Sequence, residues 1–275
     1  MEAGLQRRVQ RYGWDKAADV YEAGWRAQLE PAQTLMLEMA ALQSGERVLD
    51  VACGTGLVSF RALEAVGESG SVFGTDISSQ MVETARRVAF ERGVRNATFE
   101  RFDAEATSLE NASFDVALCA LGLMYFPRPV VALEQMRRLL APGGRAAAAV
   151  WGARAGCGWA EIFPIVDARV SSDVCPLFFQ LGTKDSLARA FDQAGFVDIR
   201  FERIEVSLEY ASGDEALNAA FRGGPVALAY SRFDAPTREA VHSEYLESIE
   251  PYRDGAGYRI PGQFVAALGS KPRHS

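Results

Sequence analysis

Apolar positions change their period several times along the chain. Leu35, Met36, Met39 and Leu42 recur at helical spacing, and Pro31 stands where proline is well tolerated as a first helical residue. The spacing therefore predicts a helix from Pro31 to about Leu42, closed by Ser44-Gly45-Glu46. Short apolar runs at Arg47–Val51, Val72–Asp76, Ala97–Arg101, Phe114–Cys119 and Arg145–Trp151 predict five strands. Helical segments fall between them: about Leu57–Val66, a helix capped by Ser78 that runs to about Arg92, and Pro129–Leu140. Ala141-Pro-Gly-Gly144 predicts a tight turn. Strands alternating with helices imply a parallel α/β sheet covered on both faces.

The rhythm breaks after Trp151. Residues 152–182 are rich in Gly, Cys, Trp and Phe, and the pattern resumes with a helix at Asp185–Ala194 and a strand at Val197–Tyr210. Residues 213–255 look helical and Tyr258–Leu268 predicts a last strand. The first thirty residues, with Tyr12, Trp14, Tyr21 and Trp25, predict one or two helices. The expected organisation is one domain over 1–275. Its core comprises about 31–151, 185–212 and 258–270, with a mostly helical lid from 152–182 and 213–257 and an N-terminal helical cap at 1–30.

Composition narrows the class. Of 275 residues, 48% are hydrophobic and 24% charged, which suits a globular chain. A net charge of −7 repels phosphate backbones and argues against a nucleic acid partner. The four cysteines, Cys53, Cys119, Cys157 and Cys175, form no C-x-x-C pair and lack a histidine cluster, so neither a zinc site nor a disulfide framework is expected. No secretion signal and no membrane span are visible, and a reduced, cytoplasmic setting fits.

The chemistry lies in the loops after the strands. Asp50-Val-Ala-Cys-Gly-Thr-Gly56 joins a strand to a helix, where glycines let the backbone turn tightly and approach a ligand. A G-x-G alone also suits a dinucleotide-binding protein. Here, however, the third glycine of G-x-G-x-x-G is missing, because position 59 is Ser, and an acidic residue, Asp50, precedes the loop. Asp76 ends the second strand, where a carboxylate can accept ribose hydroxyls. Asp103 follows the third strand, where a carboxylate can accept an adenine amino group. Each alone could be a solvated turn Asp, but three in phase with three strands point to a nucleoside-bearing ligand.

With Val48-Leu-Asp-Val-Ala-Cys-Gly-Thr-Gly56 stand Gly74-Thr-Asp-Ile-Ser78 with Met81, Phe102-Asp-Ala104, Ser113-Phe-Asp-Val-Ala-Leu-Cys119 and Leu139-Leu-Ala-Pro-Gly-Gly144. In these motifs the chain resembles the class I S-adenosylmethionine-dependent methyltransferases, in the branch similar to the ubiquinone and menaquinone C-methyltransferases. The resemblance covers residues 47–151 and implies a Rossmann-like, doubly wound, seven-stranded sheet with an antiparallel last strand. It implies S-adenosylmethionine as cofactor, with Asp50, Ala52, Gly54 and Gly56 around its methionine part and Asp76 on the ribose. It further implies that Ile77 and Met81 pack on the adenine, that Asp103 and Ala104 meet its edge, and that the Cys119 backbone lies near the ammonium. Tyr21 and Trp25 are nominated as an aromatic closure over the cofactor, or as core packing.

Methyl transfer from a sulfonium asks mainly for alignment and exclusion of water, and for a base only when the acceptor must lose a proton. Bases are scarce. His274 is in the tail, and His242 lies on a predicted helix 238–250 beside Leu246 and Ile249. Tyr125, just after the fourth strand, is the better-placed polar candidate, as catalytic donor or pocket lining. For the acceptor, Trp151, Phe179, Arg222, Tyr230 and Tyr252 stand out, with Trp159, Phe163, Phe178, Arg232, Tyr245, Arg253 and Tyr258 nearby in the non-core segments. Aromatics with arginines suit a planar or anionic small molecule, and Gly223-Gly224-Pro225 could hinge. Methylation on O, C or N of a small aromatic or quinone-like acceptor is the leading expectation. A non-catalytic S-adenosylmethionine-binding protein, a protein or nucleic-acid methyltransferase and a nicotinamide enzyme are the alternatives.

Overall fold

The structure, a computed structural model, describes residues 3–170 and 178–273. Cys175 and His274 lie outside the described residues.

The chain begins with one long helix, α1 (Ala3–Ala40), with Pro31 inside it. The expected break, with a new helix opening at Pro31, is not found. An internal proline removes one backbone hydrogen bond and crowds the preceding turn, costing about 3 kcal/mol. Tertiary packing offsets that cost: Trp25, Leu29, Ala32, Met36 and Ala40 are buried on both sides of the proline. Burying one large apolar side chain contributes about 1.5–3 kcal/mol.

The next elements follow the predicted alternation. They are β1 (Arg47–Val51), α2 (Leu57–Val66), β2 (Ser71–Asp76), α3 (Ser79–Glu91), β3 (Ala97–Arg101) and β4 (Phe114–Ala120). A single turn at Leu123–Tyr125 leads to α4 (Pro129–Leu139) and β5 (Leu140–Trp151). Ser78 caps α3 as expected, its hydroxyl accepting the Met81 N–H at 3.1 Å. The segment expected to turn at Ala141–Gly144 belongs instead to β5, which takes up the extra residues as a register shift opposite Phe114 and Val116. Beyond it come α5 (Ile162–Asp167), α6 (Ser186–Gln193), β6 (Val197–Tyr210), α7 (Gly213–Leu217) and a π-helical turn at Asn218–Arg222. The chain closes with α8 (Ala227–Tyr230), α9 (Ala235–Ile249), β7 (Arg253–Asp254) and β8 (Gly257–Ser270). Helix α9 starts earlier than its apolar spacing predicted, because Asp234 caps it by accepting the Thr237 N–H at 3.0 Å.

The strands form one sheet in the order β3-β2-β1-β4-β5-β8-β6. β7 pairs only with β8 and makes an eighth strand beyond the expected seven. Strands β1 to β5 run parallel, and β8 inserts antiparallel between β5 and β6. Alanine at 146–149 makes the second half of β5 thin and fully buried, which lets α1 pack closely across it. The chain winds outward from β1 in both directions. The loops after β1 and β4 therefore diverge and leave a crevice at the carboxyl ends of the strands. Among the described residues no helix is long and apolar enough to cross a membrane.

Candidate active site

The crevice begins with the loop after β1. Ala52, Gly54 and Gly56 all have positive φ, at 56°, 56° and 93°, a backbone that costs little for glycine and more for Ala52. A side chain at Gly54 would meet nothing within 4 Å, so open space lies before it. Opposite, Gly122 packs so close that an added Cβ would stand 2.6 Å from the Ala52 Cβ and 2.9 Å from the Cys119 sulfur.

Two acidic side chains organise this loop from different places. Asp76, at the end of β2, accepts the Gly54 N–H at 3.0 Å and the Ser78 N–H at 2.8 Å. It thereby ties the glycine loop to the start of α3 and still borders the cavity. Burial pushes its carboxyl up to about 6, against the opposing pull of those backbone hydrogen bonds. Asp50 lies beneath the loop, 1% exposed and outside the cavity wall. The Ser59 hydroxyl, at the position where a third glycine is missing, donates to its Oδ2 at 2.5 Å, while its Oδ1 is buried without a partner among the described residues. Burial pushes Asp50 up to about 7.

The far edge is held by charge. Arg7 of α1 lies 2.9 Å from Asp103 and also donates to Glu105. The Glu105 side chain is almost fully buried and accepts the Arg128 backbone N–H at 2.8 Å and its Nε at 2.9 Å. Asp15 accepts from the Ser78 hydroxyl at 2.6 Å. These contacts lay α1 across the loops after β2 and β3.

The resulting cavity, about 1000 Å³ with the open solvent at its mouth included, has two chemically distinct ends. Near β2 and β3 it is bordered by Asp76, Ile77, Met81, Asp103, Ala104 and Arg7. Near β4 and β5 it is aromatic, with Trp25, Tyr125, Trp151, Trp159 and Phe178 in the wall. Trp14 stands edge-on to both Tyr21 and Tyr125, with ring centroids 5.7 and 5.1 Å away, and so joins the two ends.

Of the residues singled out from the sequence, Tyr21, Trp25, Ala52, Gly54, Asp76, Ile77, Met81, Asp103, Ala104, Tyr125 and Trp151 meet at this cavity. Others do not. Gly56 packs on the Phe60 ring, and Cys119 is fully buried one residue before Ala120, which does line the wall. Phe179 packs behind Phe178, with centroids 4.8 Å apart. Arg222 and Tyr252 are outside the wall, and Tyr230 hydrogen-bonds His242 at 2.9 Å, away from the cavity. His242 likewise does not border the cavity. Arg7, Gln10, Trp14 and Leu29 were missed. With Tyr21 and Trp25 they recur at helical spacing on one face of α1, a spacing that alone does not tell a cavity wall from core packing.

The residues fit S-adenosylmethionine. Asp76 has acceptor capacity left for a diol, Ile77 and Met81 offer apolar surface for a base, and open space lies before Gly54.

Comparison with known proteins agrees. Residues 42–155 match the family described as methyltransferase domain. Over 256 residues the chain is 26% identical to the nocamycin O-methyltransferase of Saccharothrix syringae, covering 88% of this chain and 91% of that one. It is 40% identical over 110 residues to the ubiquinone/menaquinone biosynthesis C-methyltransferase of Azotobacter vinelandii, covering 40% of this chain. That match spans less than half, 44%, of the relative's own length. A solved structure from Bacillus halodurans superposes with a TM-score of 0.62 at 19% identity, covering 88% of this chain and 99% of that one. Residues 42–155 thus match a methyltransferase domain family, and the chain shares the fold of the solved structure from Bacillus halodurans over most of its length.

Proposed function

We propose that the chain transfers a methyl group from S-adenosylmethionine to a planar, aromatic or quinone-like small molecule. One observation carries the reading: a single cavity has carboxylates at one end and an aromatic wall at the other. The names of the relatives, an O-methyltransferase and a quinone-biosynthesis C-methyltransferase, support a small acceptor without fixing the methylated atom.

In this reading Asp76 accepts the ribose hydroxyls and Asp103 meets the adenine edge. Tyr21 is half-buried against the core, and loss of solvent, with the Asp76 charge second, raises its phenol above the ordinary range. It therefore stays protonated at neutral pH and acts as a donor rather than a base. When bound, S-adenosylmethionine supplies a methyl already activated by its positive sulfur. Trp25, Trp151 and Phe178 hold the acceptor flat and exclude water, and Tyr125 stands between the two ends. Among the described residues no histidine borders the cavity, so the wall favours acceptors that arrive ionised or need no deprotonation. The described parts of segments 152–182 and 213–257 act as the lid of one domain, through Trp159, Phe178, Gly224 and Pro225.

The test incubates the protein with S-adenosylmethionine and a panel of hydroxylated naphthoquinones, phenols and amines, and follows S-adenosylhomocysteine and methylated product by mass spectrometry. Methylation of the aromatic oxygen or carbon acceptors is expected. Binding of S-adenosylhomocysteine with no turnover on any acceptor refutes the catalytic reading in favour of a cofactor-binding protein.

A further inference from the structure

Trp25 and Trp159 meet in the aromatic wall with ring centroids 5.9 Å apart and both border the cavity. Their indole N–H groups are treated differently. Trp25 donates to the Ala219 carbonyl at 3.1 Å. Trp159 is 2% exposed, and its Nε1 is buried with no hydrogen-bond partner among the described residues. The rings of Trp25, Trp151, Phe163, Phe178 and Phe179 surround it at centroid distances of 4.7–5.9 Å. None of these side chains carries a lone-pair acceptor. A ring face offers an N–H only a weak contact. Buried indole donors ordinarily find a partner.

The indole is also held in place. The N–H of the preceding Gly158 donates to the Pro261 carbonyl of β8 at 2.9 Å, and Ala160 N–H donates to Cys157 at 3.0 Å. Tyr252 lies so close behind Gly158 that a Cβ there would stand 2.6 Å from its ring. The segment is thus fixed on the sheet, and the donor left without a partner among the described residues belongs to a side chain of the cavity wall.

We propose that Trp159 is the specificity-determining donor for the acceptor: its indole N–H takes a carbonyl, phenolate or enolate oxygen on the edge of the planar substrate. An indole N–H donates and cannot accept, so the partner must be an oxygen with a free lone pair. The surrounding rings take the apolar face of the same molecule. The proposal rests on the aromatic-acceptor reading above and adds the position of an oxygen to it.

The test uses the full chain saturated with S-adenosylhomocysteine and two probes of matching shape, 2-acetylnaphthalene and 2-ethylnaphthalene, titrated by calorimetry. The wild type is expected to bind the ketone about tenfold more tightly, the worth of one hydrogen bond to a buried donor. Trp159→Phe should lose that preference while its S-adenosylhomocysteine affinity stays that of the wild type and its melting temperature falls by a few degrees from the smaller buried ring. Equal binding of both probes by the wild type, or an undiminished preference in Trp159→Phe, overturns the proposal and leaves the aromatic-acceptor reading standing. Failure of both probes to bind overturns that reading and the proposal with it. A second measurement holds even if the variant does not fold. The chain has four tryptophans, so the four indole N–H resonances of the wild type can be assigned from Phe variants of the other three. The Trp159 signal should move downfield with the ketone and not with the hydrocarbon; an unmoved signal refutes the contact.

Discussion

Replacing Asp76 with Asn tests the cofactor end of the cavity most directly. The carboxylate has about four lone-pair positions. Two are taken by the N–H groups of Gly54, at 3.0 Å, and Ser78, at 2.8 Å. The remaining two suit a diol. Hydrogen bonds to a charged group contribute about 1.5–3 kcal/mol each, against about 0.5–1.5 for neutral pairs. An amide therefore costs about 1 kcal/mol per hydroxyl, and its NH₂ opposes the Gly54 N–H, which adds a further ~1 kcal/mol. The sum, about 3 kcal/mol, is roughly a hundredfold in Kd. Calorimetry with S-adenosylhomocysteine at pH 7.5 measures it. Acidity gives an independent check. Burial pushes Asp76 up to about 6, and the ligand's donors favour its charged form. Wild-type affinity should thus fall as pH drops below about 6, approaching tenfold per unit, while the Asn variant should not respond to the titration of this group. An Asn variant within threefold of wild type, or a wild-type affinity flat from pH 7.5 to 5, would refute the assignment of the ribose to Asp76.

The same acids set the pH dependence of stability. Asp50 and Asp76 have folded pKa values, about 7 and about 6, above the ordinary 3.8. The folded state binds these protons more tightly, so stability falls as pH rises from about 4 through 7. The ligand-free protein should melt higher at pH 5.5 than at pH 8, with a smaller difference in Asp50→Asn. Ser59→Ala removes the hydroxyl that donates to Asp50 and should cost about 1–3 kcal/mol in denaturant unfolding; a change under 0.5 kcal/mol would show that the bond contributes little. Gly122→Ala places a Cβ 2.6 Å from that of Ala52, so it should lower the melting temperature and weaken S-adenosylhomocysteine binding together. His242→Ala loses its bond to Tyr230 but should leave turnover unchanged, and a large loss of kcat would return His242 to the chemistry.

The sequence by itself determined the alternation of β1 to β5 with α2, α3 and α4. Each strand is a short apolar run and each helix carries its own cap or stripe, as Ser78 and Pro129 illustrate. It also placed Asp76 and Asp103 at the cavity, because the carboxyl end of a parallel strand is fixed once the strand is found. Asp50 had the right position along the chain but the wrong surroundings. Which side of the loop its carboxylate faces depends on Ser59, nine residues away and one layer below. The acceptor side was least legible. Its wall combines α1, β5 and residues 159 and 178, brought together by long-range packing, and an aromatic residue in a loop has the same composition whether it faces a cavity or a neighbour. Trp159 and Phe179 differ in this way. The course of α1 through Pro31 belongs to the same class. Local propensity dictates a break there, and only the apolar surface buried on both sides of the proline overrides it.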